Sequence, residues 1–215
     1  MTERPSHSFL DRCLIQLQQA IRTCAPGTTT AQRQSPATPL KEDELTPTEN
    51  RHSAGLMRTN HTGEVCAQAL YQGQATTARL GEVRAAMEQA AAEETDHLNW
   101  CEQRLSELNS RPSLLNPLWY AMSYTLGAAA GLAGDKWSLG FVAETETQVC
   151  QHLENHLTRL PKSDNKSRAI LTQMIQDEKQ HGETAKAAGG AELPQPLRQA
   201  MAGMAQVMKK TTYYV

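Results

Sequence analysis

An all-α fold built around a four-helix bundle is predicted by three features of the 215-residue chain. No run shows the apolar–polar alternation of a strand. Apolar residues recur instead at helical spacing, in segments punctuated by Pro and Gly. And a carboxylate-Glu-x-x-His pattern occurs twice, at Glu93-Glu94-Thr95-Asp96-His97 and at Asp177-Glu178-Lys179-Gln180-His181, each inside an unbroken helical run. On a helix, residues i and i+3 share a face with about 5 Å of rise between them. Glu94 with His97, and Glu178 with His181, can therefore each reach one metal ion.

From Ser8 to Cys24, Leu10, Leu14, Ile15, Leu17 and Ile21 fall at helical spacing with Asp11 near the start, which predicts a short amphipathic helix able to dock on the core or on a membrane. From Ala25 to Thr48 the chain turns to Gly, Thr, Ser and Pro, a composition expected to form a linker with no packed element. The expected organisation is thus an N-terminal helix over 1–24, a linker over 25–48 and one domain over 49–215. Helical patterns then run from about Pro47 to Leu80 and, after Gly81, from Glu82 to Asn109, where Arg111-Pro112 stops them. Residues 112–134 carry no charge, long enough for a bilayer span. Asn116-Pro117 interrupts that stretch early and it is rich in Gly and Ala, so a buried or interfacially inserted helix is expected rather than a span. Further helices are predicted over 135–160, ended by Pro161, over 164–188, capped by Ser163 or Asp164 and stopped by Gly189-Gly190, and over 194–208. Met201, Met204 and Met208 share a face of the last and suit packing or lipid contact.

Composition narrows the function. A net charge of −2 without a basic block excludes nucleic acid as an expected partner. Five cysteines, scattered and without a C-x-x-C, argue against a disulfide framework and against a thiolate zinc site, and predict a reduced, intracellular chain. The first residues lack the basic region and apolar core of a secretory signal.

The core helices supply the remaining ligands. Glu64, in His61-Thr62-Gly63-Glu64, precedes Glu94 by 30 residues, and Glu146 precedes Glu178 by 32. Two helical hairpins therefore present the same set twice: one Glu from each of two helices and Glu-x-x-His from the other two, the arrangement of a dinuclear carboxylate site in a bundle. Glu64, Glu94, Glu146 and Glu178 carry −4 against the +4 of two divalent ions, with His97 and His181 neutral, a balance a bundle interior requires. Oxygen ligands with two imidazoles suit iron or manganese. Glu93 and Asp177, each one residue before a ligand glutamate, are placed to hydrogen-bond the far nitrogen of the opposite helix's histidine. Taken singly, each of these residues reads as a solvated helix face or a satisfied histidine; the joint pattern is what carries the metal reading. Two further residues are candidates for a catalytic part: Tyr71, seven residues after Glu64, is either ordinary core or a redox-active neighbour, and His152, one and two-thirds turns after Glu146, is expected to affect turnover from outside the ligand set. His52, His61 and His156 are expected at the surface or at helix caps.

Met57-Arg58-Thr59-Asn60-His61-Thr62-Gly63-Glu64, Ala69-Leu70-Tyr71-Gln72-Gly73-Gln74, Glu94-Thr95-Asp96-His97 and Pro117-Leu118-Trp119 together resemble the demethoxyubiquinone hydroxylase family of ubiquinone biosynthesis, over about residues 50–211, with the N-terminal helix and linker resembling its bacterial branch. That resemblance implies a ferritin-like bundle with added membrane-associated helices, and two iron ions held by Glu64, Glu94, His97, Glu146, Glu178 and His181. It implies an O₂-dependent monooxygenase hydroxylating the ring of a polyprenylated methoxy-methyl-benzoquinol, peripheral to the cytoplasmic side of a bacterial cell membrane, with other ubiquinone-biosynthesis proteins as candidate partners. The family's histidine matches His152; the tyrosine that follows it in some relatives is Leu153 here, so no role of that tyrosine carries over. With no Gly-x-Gly-x-x-Gly and no flavin motif, electrons are expected from an external donor: a reductase, NADH or the quinol itself. The rival readings are ferritin-like iron oxidation and storage, against which the uncharged 112–134 stretch counts, and a helical membrane adaptor, against which the ligand pattern counts. Within that stretch, Leu114, Leu115, Leu118 and Trp119 are expected to enter the membrane interface. Gly127 to Gly134 are expected to allow close helix packing or a groove for the isoprenoid tail, and the end of the last helix, with Lys209 and Lys210, to give a second contact.

Overall fold

The computed structural model describes residues 9–41 and 44–215. Among them are seven helices and no strand: α1 (Phe9–Cys24), α2 (Pro47–Thr77), α3 (Gly81–Glu107), α4 (Asn116–Ala133), α5 (Asp135–Arg159), α6 (Asn165–Ala187) and α7 (Gln195–Thr212). Local chemistry sets their ends. Thr46 and Glu49 form a reciprocal capping box with Pro47 in the first turn of α2, and Asp164, the nearer of the two expected caps, accepts from Ser167 N at 3.0 Å to start α6. Asn109 closes α3 in the left-handed region, with Ser110 N bonded back to Leu105 O, and Gly189 closes α6 at φ 92°, with Gly190 N bonded to Ala185 O.

Helices α2, α3, α5 and α6 form the bundle as two antiparallel hairpins, α2–α3 and α5–α6, which meet chiefly where α3 lies along α6. Two apolar clusters fill its ends, and a third, of Val65, Ala69, Leu98 and Tyr120, joins α2 and α3 to α4. Of the end clusters, one gathers Leu56, Met57, Trp100, Leu105, Leu153 and Leu171; the other gathers Tyr71, Met87, Leu139 and Val142. On each of the four helices the predicted ligands fall between the two clusters, so burial of the apolar ends holds a polar middle in place. A buried guanidinium ties one end together: Arg104 of α3 donates to Ser167 Oγ and to Asp164 Oδ1, each at 2.9 Å.

Helix α4 lies against α2 with their backbones in contact. A Cβ placed on Gly73 would stand 2.2 Å from Tyr124 O, and one on Gly127 2.2 Å from Leu70 O. Gly127 of α4 therefore serves close helix packing. None of the described helices is long and apolar enough to cross a membrane.

The stretch after α1 departs from expectation. Residues 25–41 contain no helix, yet they are bound along one face of α3. Gly27 N donates to Glu102 Oε1 at 2.6 Å, Asn99 Nδ2 to Thr29 Oγ1 at 2.9 Å and Trp100 Nε1 to Arg33 O at 3.2 Å, while Ala37 is buried in the first cluster. A Pro- and Thr-rich segment that cannot form an element of its own still docks when a neighbouring helix satisfies its backbone polar groups.

Candidate metal centre

The six predicted ligands converge. Glu64, Glu94, His97 and Glu178 offer donor atoms within 4.8 Å of one another, and so do Glu94, Glu146, Glu178 and His181. Glu94 and Glu178 belong to both groups, one oxygen facing each: Glu94 Oε2 and Glu178 Oε1 lie 3.0 and 3.1 Å from His97 Nδ1, and Glu94 Oε1 and Glu178 Oε2 each lie 3.2 Å from His181 Nδ1. Spacings near 3 Å match the edge of an octahedron of donors at about 2.1 Å from a cation. All four carboxylates are at most 2% exposed. Glu64 Oε2 is buried with no hydrogen-bond partner, an oxygen that a cation at the cluster would satisfy. The residues fit two divalent metal ions: Glu64, Glu94, His97 and Glu178 would hold one, and Glu94, Glu146, Glu178 and His181 the other.

Charge in this cluster is met by protons when no metal is bound. Burial, then repulsion from neighbouring carboxylates, pushes Glu64 and Glu146 well above the usual carboxylate range. Burial opposes the charged form of Glu94 as well, but hydrogen bonds from His181 and His97 hold it low. Burial likewise opposes protonation of the two imidazoles, and their carboxylate partners outweigh it: His97 is raised well above its ordinary value and His181 is pushed up to about 12. Metal binding must displace these protons, since a ligating imidazole is neutral.

The outer partners are those the sequence places. His97 Nε2 lies 2.8 Å from Asp177 Oδ2, and His181 Nε2 2.8 Å from Glu93 Oε2, each pair crossing between α3 and α6. A carboxylate accepting from Nε2 fixes the tautomer that leaves Nδ1 free to ligate. Tyr71 is buried in the second apolar cluster, and its hydroxyl donates to Glu146 Oε1.

Of the other histidines, His152 lies outside the ligand set as expected, while His61 and His156 depart from expectation. His152 belongs to neither ligand group; its Nε2 lies 3.0 Å from Asn60 Oδ1, which also accepts from His156 Nδ1 at 2.8 Å. Burial holds His152 well below its usual value and pushes His156 down to about 3, so both are neutral donors. His61 and His156 are buried, not superficial, and burial also pushes His61 down to about 4; its Nδ1 faces the Asn116 side-chain amide at 3.3 Å. Leu153 is core.

A cavity of about 880 Å³ opens beside the cluster between α2, α4, α5 and α7. Glu64 lines its inner end, Leu70, Leu126, Phe141 and Met204 its walls, and Lys209 and Lys210 its rim. Trp119 also lines it, 6% exposed, with its indole N–H unpartnered. Trp119 is therefore a cavity residue and not, as expected, an interfacial one, because α4 turns that face inward. The contacts of Asn60, Trp119 and Arg33 follow from no spacing pattern that chemistry demands.

Residues 51–212 match the family described as "Ubiquinone biosynthesis protein COQ7". Over 215 residues, the whole of both chains, the protein is 56% identical to the 3-demethoxyubiquinol 3-hydroxylase of Ectopseudomonas mendocina and 58% identical to that of Azotobacter vinelandii. It is 57% identical over 209 residues, 97% of this chain and 99% of the relative, to the enzyme of the same name from Acinetobacter baylyi. With the family match spanning most of its length and these identities running end to end, the chain belongs to the COQ7 family of ubiquinone biosynthesis proteins.

Proposed function

We propose that the protein is a 3-demethoxyubiquinol 3-hydroxylase: an O₂-dependent di-iron monooxygenase, ferritin-like in architecture, acting on the ring of a polyprenylated methoxy-methyl-benzoquinol in ubiquinone biosynthesis. The observation that carries this reading is the buried cluster of four glutamates and two histidines opening onto a largely apolar cavity, in a chain more than half identical to relatives of that name. Bound at the cluster, two iron ions would supply the reduction of O₂ and the oxidant for the ring. The chain's own residues do the rest. Glu64, Glu94, His97 and Glu178 would hold one ion, and Glu94, Glu146, Glu178 and His181 the other. Asp177 and Glu93 keep the imidazoles in the ligating tautomer, and Tyr71 orients Glu146. The apolar walls exclude water from the ring, while the Trp119 N–H offers a donor to a quinol oxygen. An external donor supplies electrons. Iron storage accounts for the ligands but leaves the apolar cavity without a purpose. Anaerobic loading with ferrous iron, followed by a short-tailed demethoxyquinol, a chemical reductant and ¹⁸O₂, is expected to give hydroxylated quinol carrying one ¹⁸O. Ferric mineral without labelled quinol would instead favour storage.

We also propose peripheral attachment to the cytoplasmic face of the cell membrane, from which an isoprenoid tail can enter the cavity. Leu114, just before α4, and Leu118 on it are 63% and 55% exposed, and Met122 and Leu126 continue the Leu118 stripe along α4. On α1, Leu10, Leu14, Leu17 and Ile21 are exposed together. Each leucine moved into the interface contributes roughly 1.5–3 kcal/mol. Leu114→Asp with Leu118→Asp, both outside the core, is expected to cut the fraction floating with anionic liposomes by about tenfold or more. Unchanged flotation would put the contact elsewhere.

A further inference from the structure

The two halves of the centre are enclosed differently. His97 is fully buried, and over it lies the segment that follows α1. Arg33 donates from Nε to Asp96 Oδ2 at 2.7 Å and from Nη1 to Asp177 Oδ2 at 2.9 Å, and brings Nη2 within 3.5 Å of His97 Nε2. Its guanidinium carbon stands 4.9 Å from the centre of the Trp100 ring, and Gln32 N donates to Asp96 Oδ1 at 2.6 Å. One planar fork thus joins a carboxylate of α3 to one of α6, and the second of these is the acceptor that orients His97. The other half has no such cover among the described residues. The side chain of His181 is 14% exposed and that of its acceptor Glu93 43%, and Glu93's other hydrogen bond comes from Gln89 on its own helix.

We propose that Arg33 is a positioning residue that makes the Glu64–His97 half the slow-exchanging metal site, and that metal enters and leaves through the Glu146–His181 half. The proposal rests on the two-metal reading above. For a metal to leave the first half, His97 must turn away or Asp177 must release it, and Arg33 fixes Asp177 while filling the space into which the ring would swing. Glu93 can swing into solvent, and His181 can follow it.

The test uses the full-length protein loaded with two cobalt(II) ions and chased with excess EDTA without oxygen, the cobalt absorption reporting each departure. Two phases of equal amplitude are expected, separated by roughly tenfold or more, the scale on which an outer hydrogen-bond partner alters metal affinity. Arg33→Ala should accelerate the slow phase by about that factor and leave the fast one unchanged; Arg33→Lys, which keeps charge without the fork, should fall between. Glu93→Gln should accelerate only the fast phase. A single phase in the unmodified protein, or a slow phase indifferent to Arg33→Ala, would overturn the proposal while leaving the two-metal reading intact. Failure to load two ions would overturn both. Circular dichroism of the metal-free variants separates either result from unfolding, and should Arg33→Ala not fold, the Arg33→Lys rates decide.

Discussion

Glu178→Ala is expected to yield a folded, helical protein that binds neither metal stably and has no measurable hydroxylation. Glu178 gives one oxygen to each half of the centre, 3.1 Å from His97 Nδ1 and 3.2 Å from His181 Nδ1. Its loss therefore strips both ions of a ligand at once, and the effect on rate should exceed the roughly 10–100-fold that removal of an outer partner costs. Glu64→Ala, which touches one group only, should retain up to one ion. Folding should survive, because the apolar clusters flanking the ligands on every helix are untouched. The clearest difference lies in thermal melts with and without ferrous iron. The unmodified protein should gain about 2.7 kcal/mol per bound ion at a hundredfold excess over each site's dissociation constant, and Glu178→Ala nothing. Two bound ions per chain in the variant would remove Glu178 from the ligand set.

The centre was legible in the sequence because every part of it follows from the helical period. Glu94 with His97 and Glu178 with His181 share a face by i, i+3 spacing, and Glu93 and Asp177 are pointed at the opposite histidine by standing one residue earlier. His152 stands six residues from Glu146, which rotates it off the ligand face and onto Asn60. What was not legible depends on how elements meet. Periodicity cannot show that Gly127 faces the backbone of α2 while Trp119 faces the cavity, since both surfaces of α4 are uncharged. Nor can it foresee Arg33, whose segment has no period and whose partners Asp96 and Asp177 lie 63 and 144 residues away. Burial of His61 and His156 was missed for a related reason: each is satisfied by an amide from another helix, Asn116 and Asn60.

Gly63→Leu is expected to raise stability and abolish most activity together. Gly63 lies on α2 beside Glu64 and lines the inner end of the cavity, and a Cβ built there meets nothing within 4 Å. An interior helical glycine costs about 1 kcal/mol relative to alanine, so the substitution should lift the melting temperature by about 2–4 °C for a chain of this size. The leucine side chain, however, would occupy the space beside the ligand where the quinol ring must sit. A pocket wrong by a single methylene discriminates by roughly 10–200-fold in kcat/KM, and four carbons placed there should do at least as much, with two ions still bound. Gly73→Ala, on the same helix, is the contrasting case: its methyl would stand 2.2 Å from Tyr124 O, forcing α2 and α4 apart at a cost of about 1–3 kcal/mol. The comparison separates a glycine kept open for substrate from one kept open for packing. A Gly63→Leu protein that is more stable, fully metallated and undiminished in kcat/KM would mean that the ring approaches the metals by a different route.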